Sequence, residues 1–287
     1  MKKILFLIQA IFFLSIMTVD ASIVGFDYSP YRDGQQPYGP CPSDNQIEED
    51  LTIMQSTPLV SNFIRTYTVT DGPCNLFRIV DIAEQVGNNI IVGAWLSGDN
   101  AHDDAEISKV IDVINTHNNV KAAIIGSETL RFNRMSKTEL IAYIEQVRAN
   151  VNVPVSTAEP SYEWQSNQDL ADHVDFISVN LHPYWAGILA DNAADWTINE
   201  YYNIRNIFPG RFVAISETGW PTEGETNGQA VPSVQNQRAF LLELYQSSQT
   251  ENISFLVFEA FDENWKPGLE VEKHWGVYNS DRTIKRP

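Results

Sequence analysis

The chain has 287 residues, of which 19 are basic and 37 acidic, so its formal net charge at pH 7 is −18. This excess of acid disfavours nucleic acid or an anionic membrane surface as a partner, because both are polyanions. It suits a neutral substrate. The length fits one large domain, with no linker or low-complexity tract that would divide it.

The amino terminus has the pattern of an export signal. Met1, Lys2 and Lys3 precede an apolar run over residues 4–19, and the small residue Ala21 follows. This pattern predicts a secretory signal peptide over residues 1–21, since the apolar run is short for a membrane span. We therefore expect residues 22–287 to form a secreted or extracytoplasmic domain (periplasm, cell wall or extracellular), free of the membrane once the signal is removed.

The cysteine content agrees with export. Cys41 and Cys74 are the two cysteines of the chain. In an exported protein a pair of cysteines predicts one disulfide bond.

Short apolar runs with strand character recur along the chain. The eight runs are Ile23–Asp27, Phe63–Tyr67, Ile90–Trp95, Lys121–Ile125, Val153–Ala158, Phe176–Asn180, Phe212–Ser216 and Ile253–Phe258. Their apolar residues are continuous rather than alternating, which is typical of a parallel sheet covered on both faces.

Helical patterns lie between these runs, with apolar residues three or four positions apart over 107–114 and 140–147. Two helix starts carry predicted capping boxes, Ser43 with Gln46 and Ser136 with Glu139. Repeated strand–helix units over this length predict an α/β fold, a single (β/α)8 TIM barrel. An open doubly wound sheet is the alternative, but the chain lacks the early glycine-rich phosphate turn that such folds often carry.

In a barrel the carboxyl ends of all strands meet on one face. The residues that follow the eight runs are rich in carboxylates and aromatic rings: Asp27, Tyr28, Tyr31, Arg65, Tyr67, Trp95, Ser127, Glu128, Glu159, Trp164, Asn180, His182, Tyr184, Trp185, Glu217, Trp220, Glu259, Phe261, Asp262, Glu263, Trp265 and Lys266. Rings stack on the apolar faces of sugars and acids accept from hydroxyl groups, so this composition indicates a carbohydrate cleft. Trp220, directly after Gly219, is expected to supply one such flat face.

Cleavage of a glycosidic bond usually needs two carboxyl groups, one to donate a proton and one to attack or to activate water. Glu128 and Glu217 each close a strand run and are predicted to face each other across the barrel mouth. This position suits the spacing of about 5 Å found in retaining enzymes.

Other chemistries fit the sequence less well. No strand end carries a buried-looking lysine for a Schiff base, and Lys266 is interpreted as a cation paired with Glu263. The five histidines are scattered, so we expect no metal and no cofactor. The acidic stretch Asp99–Glu106 lacks an EF-hand pattern and is interpreted as a solvated loop and helix start.

Five segments resemble motifs of glycoside hydrolase family 17, the β-1,3-glucanases and β-1,3-glucanosyltransferases. They are Gly25–Tyr31, Ile64–Tyr67, Asn180–Trp185, Ser216–Pro221, and Phe261–Lys266 with Glu272 further on. The resemblance covers nearly all of residues 22–287. It implies a retaining mechanism on a TIM barrel, with Glu217 as nucleophile and Glu128 as acid/base.

The resemblance also implies that Glu263, Lys266 and Glu272 form a charged network beside the nucleophile. Aromatic residues are implied to line the cleft: Tyr28, Tyr184 and Phe261. The remaining candidates for substrate binding are strand-end residues, namely Arg65, Tyr67, Ser127, Asn180, His182 and Trp220. Trp164, Trp185 and Trp265 are candidates for acceptor subsites.

One position departs from the family pattern. The family usually has Gly-Asn-Glu where this chain has Gly126-Ser127-Glu128, and that Asn is expected to bond the sugar 2-hydroxyl. The shorter Ser127 predicts reduced activity or a different substrate. The function predicted is a secreted, monomeric enzyme that cleaves β-1,3-glucosidic bonds in β-glucan oligo- or polysaccharides. The alternatives are a β-1,3-glucan transglycosylase and a weakly active or inactive barrel that binds wall polysaccharide.

Overall fold

The computed structural model describes residues 22–57 and 62–286, so the predicted signal peptide lies outside the described residues. Eight parallel strands form a closed barrel in chain order, which confirms the predicted TIM barrel. The strands are β1 (Val24–Asp27), β2 (Phe63–Arg65), β3 (Asn89–Ala94), β4 (Val120–Ser127), β5 (Val155–Pro160), β6 (Ile177–Asn180), β7 (Val213–Thr218) and β8 (Phe255–Val257).

Helices cover the outer face of the barrel. They are α1 (Asp44–Gln55), α2 (Arg78–Val86), α3 (Asn100–Thr116), α4 (Lys137–Arg148), α5 (Ser161–Ser166), α6 (Ala193–Ile207) and α7 (Val234–Glu251). Between β8 and Arg286 the described chain forms the 3-10 turn Glu270–Lys273 and no α-helix, so the eighth unit is irregular. Across the described ranges, no helix is both long and apolar enough to cross a membrane.

The strands are buried on both faces by apolar side chains. Ile90, Val92, Ile177 and Ile215 are fully buried, as the continuous apolar runs predict. Each buried aliphatic side chain stabilises the fold by about 1.5–3 kcal/mol. This packing gives the strand ends, where the functional side chains begin, a rigid support.

Of the two predicted capping boxes, the one at α4 forms completely and the one at α1 forms in part. Ser136 and Glu139 form the predicted capping box at the start of α4. Ser43 caps α1 by accepting from the Gln46 amide at 3.2 Å. The Gln46 side chain does not return to Ser43 but donates to the Pro30 carbonyl at 2.6 Å, so the second capping box is wrong in its return bond.

The acidic stretch Asp99–Glu106 is a helix start, as expected, but it is not solvated throughout. Asp99 caps α3, whereas Asp103 and Glu106 are fully buried. Asp103 accepts from the amide of Ser97 at 2.8 Å in the loop after β3. The sequence shows the charged residues but not the backbone amides that donate to them and so stabilise the buried carboxylates.

Glu106 anchors the loop after β2. Its carboxylate accepts from the amides of Val69 and Thr70, each at 3.0 Å, and from the Thr68 hydroxyl at 2.7 Å. A longer bond of 3.3 Å reaches the Trp95 amide after β3. Burial raises the pKa of Glu106, and these donors oppose that rise. One buried acid therefore holds two loops at the barrel mouth.

The predicted disulfide is confirmed. Cys41 and Cys74 are bonded, with 5.3 Å between their Cα atoms. The bond joins the loop after β1 to the loop after β2.

Removing this disulfide should destabilise the fold. Opening a cross-link of 33 residues separation by Cys41→Ser with Cys74→Ser should lower the free energy of unfolding by about 3–4 kcal/mol, because the unfolded chain regains loop entropy. Denaturant titration of both proteins measures this difference. An unchanged midpoint and slope would show that the bond contributes nothing to stability.

Candidate active site

A cavity of about 620 Å³ lies at the carboxyl ends of the strands. Its aromatic lining consists of Tyr28, Tyr31, Tyr38, Tyr67, Trp95, Phe132, Phe258 and Trp265. Its polar lining includes Ser127, Glu128, Glu217, Glu263, Lys266 and Glu272. Rings interspersed with acids are the composition that the sequence predicted for a carbohydrate cleft.

Gly219, just after the end of β7, allows the chain to pack closely against the residue that follows β8. Gly219 passes so close to the Phe258 carbonyl that a Cβ atom there would overlap it. Glycine is therefore required in the Ser216–Pro221 segment for steric reasons. Glu217 lies two residues before this close contact and lines the cavity.

Glu217 is buried and paired with a buried cation. Arg65 Nη1 lies 2.8 Å from Glu217 Oε1, and the Ser127 hydroxyl lies 3.1 Å from the same oxygen. His182 Nε2 lies 3.4 Å from Oε2. Burial alone would raise the pKa of Glu217, but the charge of Arg65 and the contact with His182 outweigh it and lower the pKa to about 2. Glu217 is therefore a carboxylate at neutral pH.

Asp27 competes for the same cation. Its Oδ1 lies 3.3 Å from Arg65 Nη1, and its fully buried Oδ2 has no hydrogen-bond partner among the described residues. Burial raises the pKa of Asp27 well above its usual range, and the negative charge of Glu217 adds to the rise. The shorter contact goes to Glu217, so the Arg65 charge chiefly serves that residue.

Glu128 follows β4 in an unusual backbone conformation. Its φ is +52°, in the left-handed region that favours glycine. Its amide donates to Ala158 of β5 at 2.7 Å. Its carboxylate accepts from Asn180 at 3.2 Å and pairs with Arg131 at 2.5 Å. The neighbouring strands and the following loop thus hold a strained residue in place.

The two acids are close. A carboxylate oxygen of Glu128, a carboxylate oxygen of Glu217 and a ring nitrogen of His182 all lie within 4.8 Å of one another. Retaining glycosidases have their carboxyl groups about 5–5.5 Å apart, and inverting ones about 6.5–9.5 Å. By geometry the three groups could also hold a metal ion, but Arg65 and Arg131 already pair with the two carboxylates. The arrangement therefore fits the retaining class.

The charged network beside Glu217 includes one carboxylate that was not predicted, Glu259. Lys266 lies 2.7 Å from Glu263 and 2.9 Å from the fully buried Glu259. Glu272 lines the same cavity but forms no ion pair with Lys266 in the described structure, so its predicted part in the network stays a prediction. Burial raises the pKa of Glu263, but Lys266 outweighs this and lowers it to about 2. Burial and the charge of Glu263 raise the pKa of Glu259.

Three aromatic residues predicted to contact substrate do not line the cavity. Trp220 is fully buried and donates to the Val231 carbonyl at 3.1 Å. Tyr184 is buried and donates to the Glu225 carbonyl at 2.6 Å. Phe261 is also buried. Trp220 and Tyr184 pack against each other, and Phe261 packs behind the wall residue Tyr28, so in this structure the three rings support the cavity rather than line it.

The candidate acceptor tryptophans divide in the same way. Trp164 is fully buried and donates to the Ser178 carbonyl at 2.9 Å. Trp185 packs against Trp275, with 6.2 Å between ring centroids. Trp265 alone of the three candidates lines the cavity.

Arg65, Asn180 and His182 contact the paired acids from behind rather than forming the cavity wall. Tyr28 and Tyr67 lie on the wall, as predicted.

The sequence reasoning missed the loop that follows Glu128. The Arg134 guanidinium lies 4.1 Å from the Trp95 ring centroid and 4.9 Å from that of Phe132. The Arg131 guanidinium also lies 4.9 Å from the Phe132 ring centroid. Arg134 also donates to the Ser127 carbonyl at 2.9 Å. Two arginines within seven residues of the acid, in a strongly acidic chain, were the available signal.

A closed parallel barrel with a close pair of carboxylates at the ends of β4 and β7 is the architecture of a barrel glycoside hydrolase. The BtgE/BtgC glycoside hydrolase domain matches residues 25–276, and the chain belongs to this family, part of glycoside hydrolase family 17.

Three of the similar proteins come from fungi. The putative glucan endo-1,3-beta-glucosidase btgC of Aspergillus niger is 30% identical over 91% of this chain, which spans only 42% of that protein. The glucan 1,3-beta-glucosidase of Saccharomyces cerevisiae is 28% identical, over 86% of each chain. The crystal structure of the glycoside hydrolase family 17 beta-1,3-glucanosyltransferase from Rhizomucor miehei superposes with a TM-score of 0.81 at 29% identity, covering 92% of this chain and 95% of that one.

Removing the buried cation should destabilise the protein in a pH-dependent way. Arg65→Met leaves Glu217 and Asp27 without their partner and should lower the free energy of unfolding by about 3–5 kcal/mol at neutral pH. The ordinary pKa of Glu217 is 4.5 and its folded value is about 2, so its contribution to stability is present above pH 4.5 and is lost as the pH falls towards 2. In the variant, burial without the cation favours the protonated acids. The difference in the free energy of unfolding between Arg65→Met and the wild type should therefore become smaller as the pH falls from 8 to 4.

Denaturant titration across this pH range measures the difference. The control is Arg78→Met, which removes an exposed pair with Asp44 and should leave stability nearly unchanged, because solvent screens that pair. A pH-independent effect of Arg65→Met would contradict the electrostatic explanation.

Proposed function

We propose that the chain is a retaining glycoside hydrolase that acts on β-1,3-glucan through a glycosyl-enzyme intermediate. The observation that carries this proposal is the pair of carboxylate oxygens of Glu128 and Glu217, within 4.8 Å of each other in an aromatic cavity. Family membership supports the reaction class, and the names of the similar fungal glucosidases support the substrate class.

In this proposal Glu217 is the nucleophile. It attacks the anomeric carbon and forms the covalent glycosyl-enzyme. An attacking carboxylate must be ionised, and the lowered pKa of Glu217 meets this condition. The positive charge of Arg65 also orients Oε1, since the two groups are 2.8 Å apart.

Glu128 is the acid/base in this proposal. It donates a proton to the leaving oxygen in the first step and accepts one from water or a sugar hydroxyl in the second. Its side chain is 12% exposed at the cavity wall. Its partner Arg131 is 35% exposed, so that contact is open to displacement when substrate enters.

The lining favours a neutral sugar polymer. Tyr31, Trp95 and Trp265 offer ring faces or edges for stacking, and the acids offer acceptors for hydroxyl groups. The net charge of −18 disfavours an anionic polysaccharide.

We further propose an extracytoplasmic location and a monomeric state. The predicted signal peptide and the Cys41–Cys74 disulfide support export. A cell surface mannoprotein of Candida albicans, 27% identical over 89% of this chain and 66% of that protein, is also similar.

Transfer to a sugar acceptor is the second candidate activity. It is favoured by the likeness to the glucanosyltransferase from Rhizomucor miehei. Incubation with laminari-oligosaccharides and mass analysis of the products separates the two activities. Longer products indicate transfer and shorter ones hydrolysis, while unchanged oligosaccharides that remain bound would indicate a binding barrel.

The two acids should respond differently to substitution. Glu217→Ala should abolish turnover of every substrate, because no nucleophile remains. Glu128→Ala should lower the rate on natural glucan by about 10²–10⁴-fold. The same variant should retain measurable cleavage of an activated aryl β-glucoside, whose leaving group needs no proton.

Azide provides the matching control. It should rescue Glu128→Ala with a product of retained configuration and should not do so for Glu217→Ala. If Glu128→Ala lost activity equally on activated and natural substrates, Glu128 would not be the acid.

The serine at position 127 is tightly placed. Its hydroxyl is 3.0 Å from Arg65 and 3.1 Å from Glu217, and the residue is 8% exposed. Ser127→Asn, which restores the family residue, should therefore overpack the site, with a loss of about 1–3 kcal/mol of stability and a lower kcat/KM on β-1,3-glucan. Thermal midpoint and kinetics measured together check this. A stable variant with raised kcat/KM would instead show that Ser127 lowers activity because it lacks a contact that asparagine makes with the sugar.

A further inference from the structure

Glu159 is a buried carboxyl group that the proposed mechanism does not use. It lies near the end of β5 and is fully buried. The preceding residue, Ala158, accepts the hydrogen bond from the Glu128 amide at 2.7 Å. Glu159 therefore lies directly beside the strand end that carries the proposed acid/base.

The carboxylate of Glu159 binds the backbone that follows Glu128. It accepts from the Leu130 amide at 2.7 Å and from the Arg131 amide at 3.3 Å. In this role it resembles a helix N-cap, in which a side-chain oxygen satisfies amides that have no backbone partner. No other residue type of this size places two anionic acceptors on consecutive amides.

The segment that Glu159 binds is the one that fixes Glu128. The positive φ of Glu128 is an unfavourable conformation that persists only where its surroundings hold it. Two further bonds close the turn, from the Phe132 amide to the Glu128 carbonyl at 3.1 Å and from Arg134 to Thr129 at 3.0 Å. The Glu159 carboxylate anchors this turn to β5, while the Arg134 side chain binds the Ser127 carbonyl just before it.

From these contacts we propose that Glu159 is a positioning residue, which holds Glu128 in reach of the leaving oxygen by binding the amides of Leu130 and Arg131. The proposal rests on the acid/base role proposed for Glu128. It concerns backbone placement and assigns Glu159 no contact with substrate.

The protonation of Glu159 should tune this anchor. Burial is the main cause that raises its pKa to about 7, and the Leu130 and Arg131 amides oppose the rise. The charged or titratable groups that face it are Glu128, Arg134, Tyr162 and Glu163. The ionised form accepts both amides, whereas a proton removes one acceptor. Anchoring should therefore strengthen as the pH rises through 7, although burial of the ionised acid lowers global stability over the same range.

Glu159→Gln tests the proposal, with Glu163→Gln as the matched control. Glu163 lies on α5, and its carboxylate accepts from Asn167 at 3.0 Å rather than from the β4 loop. Glu159→Asp is a second variant, which keeps the charge but withdraws the oxygens by one methylene group. It serves if the Gln variant does not fold.

Two measurements are needed. Hydrogen exchange over residues 128–134 reports anchoring without any substrate, and it should speed up by about 10-fold in Glu159→Gln. In the wild type, protection of these amides should depend on pH near 7 after correction for the intrinsic pH dependence of exchange. In Glu159→Gln this dependence should disappear. On laminari-oligosaccharides kcat should fall by about 10–100-fold with little change in KM, because proton donation is misaligned. For an activated aryl β-glucoside, kcat/KM reports the first step alone, in which the leaving group needs no proton, so it should stay near the wild-type value.

Unchanged exchange over 128–134, an equal loss of kcat/KM on both substrates, or the same effects in Glu163→Gln would each overturn the proposal. A wild type that cleaves neither substrate would overturn the proposed function instead. The exchange result would then still decide whether Glu159 anchors the turn.

Discussion

One buried guanidinium, that of Arg65, keeps the carboxylate of Glu217 ionised at the barrel mouth. Arg65 is 1% exposed and contacts both Glu217 and Asp27. Two carboxylates without a cation could not both ionise at this depth, since burial and mutual repulsion would each favour the protonated forms. The cation resolves this unequally, with a lowered pKa for Glu217 and a raised pKa for Asp27. Ser127 at the end of β4 also contacts both members of this ion pair, with its hydroxyl 3.0 Å from Arg65 and 3.1 Å from Glu217.

The acidic composition also supports the architecture from within. Asp103, Glu106 and Glu159 are buried, and each accepts from backbone amides of a loop at the carboxyl ends of the strands. Loops of this kind leave amides without strand partners, and a carboxylate satisfies two of them at once. Part of the negative charge that the sequence analysis assigned to solvent therefore shapes the cavity wall. The Cys41–Cys74 bond reinforces the same wall covalently.

The barrel and the close acid pair were predictable because both depend on local pattern: apolar runs define the strands, and an acid at a strand end must lie at the mouth. The direction of each ring was not predictable. Trp220 and Trp265 both follow strands, yet one packs outward and the other lines the cavity. Likewise, the partner of Lys266 depends on which carboxylate comes within reach in three dimensions, and Glu259 rather than Glu272 does.

The two proposed catalytic acids differ in how they are held, and the difference matches what a retaining mechanism asks of each. Glu217 must stay ionised, and its partner Arg65 is buried and cannot be displaced. Glu128 must gain and lose a proton within one cycle. Its side chain contacts the exposed Arg131, while its backbone is held through Glu159, so the carboxyl group can exchange partners without moving. The two requirements are thus met by separate interactions: a buried ion pair fixes the charge of Glu217 on β7, and backbone contacts hold Glu128 after β4 while its carboxyl group pairs with the partly exposed Arg131.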